Sequence, residues 1–185
     1  MQGELKKMQR ELGVTFVYIT HDQEEALNMS DRIALMNAGR LVQFGAPQVL
    51  YDSPNSTFSA TFIGQANVLP CEVTALSNGV ATIALFGAIF QMPAPEGVGA
   101  GDPMNLCVRA ERLHYDTQAR EHALRGVLRE MDYTGGVQRA QIELPSGDLL
   151  TASRPVEQAD VILPGETVYL WWRAASLVPR GEAAL

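Results

Sequence analysis

Over residues 68–172 the chain repeats one pattern, short runs in which apolar and polar residues alternate, at 68–76, 80–85, 88–92, 104–110, 124–131, 137–144, 149–152 and 167–172. Between the runs lie turn sequences: Asn78-Gly79, Gly97-Val98-Gly99-Ala100-Gly101, Gly135-Gly136 and Ser146-Gly147-Asp148. Successive side chains of a strand point to opposite faces, so a period of two marks strands with one buried face. Many short strands joined by glycine-rich turns predict a small barrel or sandwich. Two strand groups of similar size flank a polar stretch at 118–123. The two cysteines, Cys71 and Cys107, both fall in predicted strands. Without clustered histidine they read as small buried hydrophobes, not metal ligands.

Ahead of residue 65 the pattern differs. Leu5, Met8 and Leu12 stand at helical spacing, with Gly13 placed to end the helix. Residues 14–19 are apolar and rich in β-branched and aromatic side chains, which predicts a strand buried on both faces. It closes on a polar corner, Thr20-His21-Asp22. Asp22 is a candidate N-cap for a short helix carrying Ala26, Leu27 and Met29, with Glu25 as the acid of a capping box. Residues 31–36 and 40–44 predict two strands around Asn37-Ala38-Gly39. Pro47 opens a helix through Tyr51, and Asn55 or Ser56 caps another holding Phe58, Phe62 and Ile63. The predicted organisation is therefore an α/β part over 1–64 followed by an all-β part over 65–185. His21, beyond the end of a buried strand, sits where α/β sheets place ligand chemistry.

The run Thr20-His21-Asp22-Gln23-Glu24-Glu25-Ala26-Leu27, then Ser30-Asp31-Arg32-Ile33, Met36, Gly39 and Arg40, resembles the end of the ATP-binding subunit of an ABC importer. The match continues through Gly45, Pro47, Tyr51, Pro54, Phe62, Ile63 and Gly64. By this resemblance His21 is the switch histidine that touches the γ-phosphate of ATP, and Gln23 to Met29 lie near the contact with the membrane permease. The resemblance implies that the β-rich part is an OB-like regulatory (TOBE) barrel domain, meeting a second copy across a two-fold axis as a homodimer. Arg109-Ala110-Glu111-Arg112 resembles the Arg-Pro-Glu motif of such domains, with Ala110 in place of proline. The stretch from Leu128 to Gly136, including Tyr133, Gly135 and Gly136, resembles the polyamine (spermidine/putrescine) branch. Arg109, Glu111, Arg112, Tyr133, Gly135 and Gly136 are thus candidate regulatory-ligand or interface residues. The implied setting is cytoplasmic, peripheral at the inner face of the cell membrane.

Composition and absent motifs bound this reading. Net charge is -7 and the pI about 4.9, so the chain lacks the basic footprint of a nucleic-acid binder. No apolar run reaches the roughly twenty residues of a membrane-spanning helix, and no signal peptide is visible. A phosphate-cradling loop needs Gly-Lys followed by Ser or Thr, and the only lysines are Lys6 and Lys7. The family's signature sequence and Mg²⁺-binding acid are also missing, so the chain looks like the C-terminal part of a longer ATPase. One charge-assisted hydrogen bond from His21 is worth about 1.5–3 kcal/mol. Millimolar affinity requires about 4 kcal/mol. The chain alone is therefore expected neither to bind ATP usefully nor to hydrolyse it; ATP and Mg²⁺ belong to the intact subunit. A unit of about sixty residues is marginal by itself, so 1–64 is expected to leave apolar surface open or to cover it by association. The alternative reading is a free-standing solute-sensing barrel, with Arg109, Arg112 and the Gly135-Gly136 backbone as donors. Trp171 and Trp172, adjacent on a strand, must face opposite ways.

Overall fold

The computed structural model describes residues 2–158 and 161–180. It opens with helix α1 (Gln2–Leu12), ended by Gly13, and α2 (Gln23–Met29). The hairpin β1 (Ile33–Asn37) and β2 (Arg40–Gly45) follows, turning through Ala38 and Gly39, both with positive φ. Next come α3 (Pro47–Asp52), with Pro47 in its first turn, and α4 (Thr57–Phe62), whose N-terminus Ser56 caps through the Ser59 amide at 3.1 Å. Ile33, Leu35, Val42, Leu50 and Ile63 form the small buried cluster of this part.

One expectation fails here. Residues 14–19 form no strand; they run extended and open, with Val17 88% and Ile19 92% exposed. A strand buried on both faces needs neighbours to bond its backbone and cover its side chains. Among the described residues no strand pairs with this segment, so its sequence preference goes unmet. The apolar surface that a small α/β unit was expected to leave open lies here.

The rest is β structure in two five-stranded sheets. The first contains β3 (Ala66–Ser77), β4 (Val80–Leu85), β5 (Ala88–Pro93), β6 (Pro103–Arg109) and β12 (Ser176–Pro179), in the order β12-β6-β3-β4-β5. The second contains β7 (Leu113–Asp116), β8 (Leu124–Thr134), β9 (Val137–Glu143), β10 (Leu149–Pro155) and β11 (Thr167–Trp172), in the order β10-β9-β8-β11-β7. Neighbouring strands within both sheets pair antiparallel. A single 3-10 turn, Ala110–Arg112, joins β6 to β7 and so carries the chain from one sheet to the other. The inward residues of both sheets share one core, with Val73, Ile83, Leu106, Leu128, Ile142, Val168 and Leu170 fully covered. The fold is thus a small α/β part followed by an OB-like all-β part. Trp172 turns inward and stacks on Phe90 with centroids 4.4 Å apart; Trp171 turns outward beneath Arg120. Cys71 and Cys107 are free and buried, and burial pushes the Cys107 thiol up to about 12.

Candidate functional site

His21 stands exposed at the head of α2. The corner behind it is built as the local sequence dictates. Asp22 caps the helix, its Oδ1 accepting from the amides of Glu24 at 2.8 Å and Glu25 at 3.1 Å. The Glu25 carboxylate accepts from the hydroxyls of Thr20 and Tyr18, each at 2.9 Å. Thr20 Oγ1 in turn accepts from the Asp22 amide at 3.0 Å. The predicted capping box is not formed: the Asp22 amide that would bond Glu25 donates to Thr20, and Glu25 stabilises the corner through Thr20 and Tyr18 instead.

Arg109 lies where the barrel meets this part. It closes β6 and is 5% exposed. Its Nε and Nη2 donate to the Tyr51 carbonyl at 3.2 and 2.7 Å, and its Nη1 donates to the carbonyls of Ala60, at 2.6 Å, and Ile63. These carbonyls come from the C-terminal turns of α3 and α4, where helical acceptors lack partners within the helix and where a cation is favoured. The Tyr51 ring lies against the guanidinium, 4.3 Å from its carbon. The Tyr51 hydroxyl donates to Glu111, and Arg112 pairs with Asp52. Burial and the Glu111 carboxylate together push the Tyr51 phenol up to about 12. Burial likewise draws the Arg109 pKa down from its ordinary value.

Ala110, where the related motif has proline, uses what proline lacks. Its amide donates to the Gln65 carbonyl at 3.0 Å. Gly64 stands beside it with φ +78°, and a Cβ there would come within 2.8 Å of the Tyr51 ring. Both the conformation and the space require glycine. Arg109, Glu111 and Arg112 thus come together where the helices meet the barrel, with Arg109 buried and Glu111 exposed at its edge.

Tyr133, Gly135 and Gly136 lie elsewhere, at the β8–β9 hairpin. Tyr133 is 66% exposed, and its hydroxyl accepts from Gln138 Nε2 at 3.0 Å. Gln138 is 1% exposed, and its Oε1 accepts from Tyr115 at 3.1 Å and from Arg154 at 2.8 Å. A cleft of about 330 Å³ opens beside it, walled by Met131, Val156, Ile162, Leu163 and Pro164. The sequence reading missed Gln138, and also Asn67, which bonds the Thr151 amide at 2.7 Å and carbonyl at 2.8 Å and so ties β3 to β10. A polar residue on the inward phase of an alternating strand was the available signal for both.

Among the described residues no group of three or more His, Cys, Asp or Glu side chains is placed to hold a metal ion.

Residues 106–179 match the TOBE domain family. The chain is 40% identical over 178 residues to the spermidine/putrescine import ATP-binding protein PotA of Rubrobacter xylanophilus, an alignment covering 94% of this chain and 47% of that protein. It is 35% identical over 193 residues to the protein of the same name from Nitratidesulfovibrio vulgaris, covering 99% of this chain and 52% of that protein. The chain spans about half the length of the curated relatives it matches. Among solved structures, the cytoplasmic molybdate-binding protein ModG, crystallised with molybdate bound, superposes with a TM-score of 0.53. That alignment covers 61% of this chain and 96% of ModG at 19% identity, a likeness of fold.

Proposed function

We propose that this chain, a TOBE-bearing relative of the spermidine/putrescine import ATP-binding proteins, is the C-terminal portion of the ATP-binding subunit of an ABC importer of the polyamine type. In the intact subunit, which holds ATP and Mg²⁺, His21 senses the γ-phosphate. Residues 1–64 belong to the nucleotide-binding domain and 65–185 to the regulatory barrel. Gln23 to Met29 face the permease at the inner side of the membrane, and two copies meet through their barrels. The observation that supports this reading is the similarity of 94% of the chain to a spermidine/putrescine import ATP-binding protein at 40% identity, together with the TOBE match over residues 106–179.

The sensing alternative draws no support from the same geometry. Arg109 is buried and committed to three carbonyls, which closes it to a solute, and Arg112 already pairs with Asp52.

The test is a chimera in which this chain replaces the matching half of a spermidine/putrescine import ATP-binding protein. The expected result is restored putrescine uptake in cells lacking that protein, lost again on His21→Ala. A folded chimera that hydrolyses ATP but supports no polyamine uptake would count against the solute class. One insensitive to His21→Ala would count against the assigned histidine. Sedimentation of the isolated chain tests the homodimer, with a monomer at tens of micromolar as the contrary result.

A further inference from the structure

Three residues join the helical part to the barrel, and each is held from a different side. The Ile63 carbonyl accepts from Arg109. The Gln65 carbonyl accepts from the amide of Ala110, the first residue of the 3-10 turn. The Gly64 amide donates to Oε1 of Gln23 at 2.6 Å. Gln23 is the first residue of α2, two positions beyond His21 and next to the cap Asp22. Gly64 also packs on the Tyr51 ring, so tightly that no Cβ fits between them. The Tyr51 ring lies on Arg109, and its hydroxyl is bonded to Glu111 in the 3-10 turn.

We infer that Gln23 is a positioning residue that couples the His21 corner to the barrel: its bond to the Gly64 amide ties the head of α2 to the junction that Arg109 and Ala110 hold from the barrel side. The inference builds on the reading of His21 as the switch residue and names the route by which the regulatory barrel reaches it. Its logic is mechanical. The cap, the Thr20 and Glu25 bonds and the short helix make the corner one rigid piece, so a displacement of His21 carries the Gln23 amide with it. Gly64 cannot follow freely, because its neighbours on both sides are bonded to the barrel. A shift at either end must therefore be shared or must break the 2.6 Å bond. Spatial adjacency alone does not establish coupling; a double-mutant cycle does.

The experiment uses the whole chain, isotope-labelled, without nucleotide, so its outcome is separable from any test of the γ-phosphate role. Gln23→Ala is expected to speed hydrogen exchange at the Gly64 amide about tenfold, the scale of one lost hydrogen bond. It should also shift the His21 ring resonances while barrel amides such as Leu106 and Val168 keep their protection. Gln23→Glu retains an acceptor and should restore both signals. Tyr51→Phe removes the hydroxyl bonded to Glu111; it should move the His21 resonances when Gln23 is present and leave them in place when Gln23 is alanine. Unchanged Gly64 exchange in Gln23→Ala would overturn the proposal. So would a Tyr51→Phe effect on His21 of equal size with and without Gln23.

Discussion

Arg109 shows how much one buried cation can organise when its partners are carbonyls. A guanidinium is a rigid fork of five N–H donors, and here it satisfies acceptors at the ends of two helices that are otherwise short of partners. Removing it strands buried carbonyls, at about 1–3 kcal/mol each. Arg109→Met, which keeps much of the apolar stem, is expected to cost about 3 kcal/mol in urea unfolding. Arg109→Lys should recover less than half of that, since an ammonium cannot span the separated carbonyls as a fork does. Tyr51 gives this node a pH signature. Its folded pKa lies above the ordinary tyrosine value, at about 12 against 10.0, because burial and the bond to Glu111 favour the protonated phenol. The stabilisation is fully present below pH 10.0 and is lost as pH rises through about 12. The difference in unfolding free energy between wild type and Tyr51→Phe should therefore stay level from neutral pH to about 10 and shrink above it. Taking that difference cancels the contribution of Cys107, whose thiol is raised in the same direction.

At the scale of elements, the second sheet depends on a position that carries no side chain. A Cβ on Gly126 of β8 would lie 2.6 Å from Ile142 Cγ2 and 3.0 Å from the Glu143 carbonyl oxygen. Its φ is not in the left-handed region, so the obstacle is space alone. Gly126→Ala is expected to destabilise the barrel by about 2 kcal/mol through overpacking, read as a lower urea midpoint with an unchanged slope. No pattern in the sequence singles out Gly126, because the atoms it makes room for come from neighbouring strands. The long alternating strands were legible, since period two and their glycine turns are local signals. β7 and β12, at four residues each, were too short to show a period. Residues 14–19 misled for a related reason. Their composition is that of a buried strand, but pairing is a property of neighbours, and the described residues supply none. Arg109 was legible as a motif residue, whereas its role was not. The carbonyls it binds belong to Tyr51, Ala60 and Ile63, 46 to 58 positions away, and a backbone acceptor leaves no mark in a side-chain pattern.

For the whole molecule, the two parts bring very unequal cores to their junction. The barrel shares one continuous set of buried residues between its sheets, whereas the helical part buries Ile33, Leu35, Val42, Leu50 and Ile63. A segment of sixty-odd residues with so small a core cannot offset the entropy of ordering its chain, about 1–2 kcal/mol per residue for the backbone alone. Its order must be supplied in part by the barrel, through the Arg109 clamp, the Arg112–Asp52 pair and the packing of α4 against β3 and β6. Docking of this kind stabilises the weaker partner and leaves the stronger one self-sufficient. A fragment of residues 1–64 is therefore expected to give a coil-like circular dichroism spectrum at 25 °C. A fragment beginning at residue 65 should retain β structure and unfold cooperatively in urea. If the short fragment instead unfolds with a cooperative transition of its own, its few buried residues suffice, and the clamp only orients a part that is already folded.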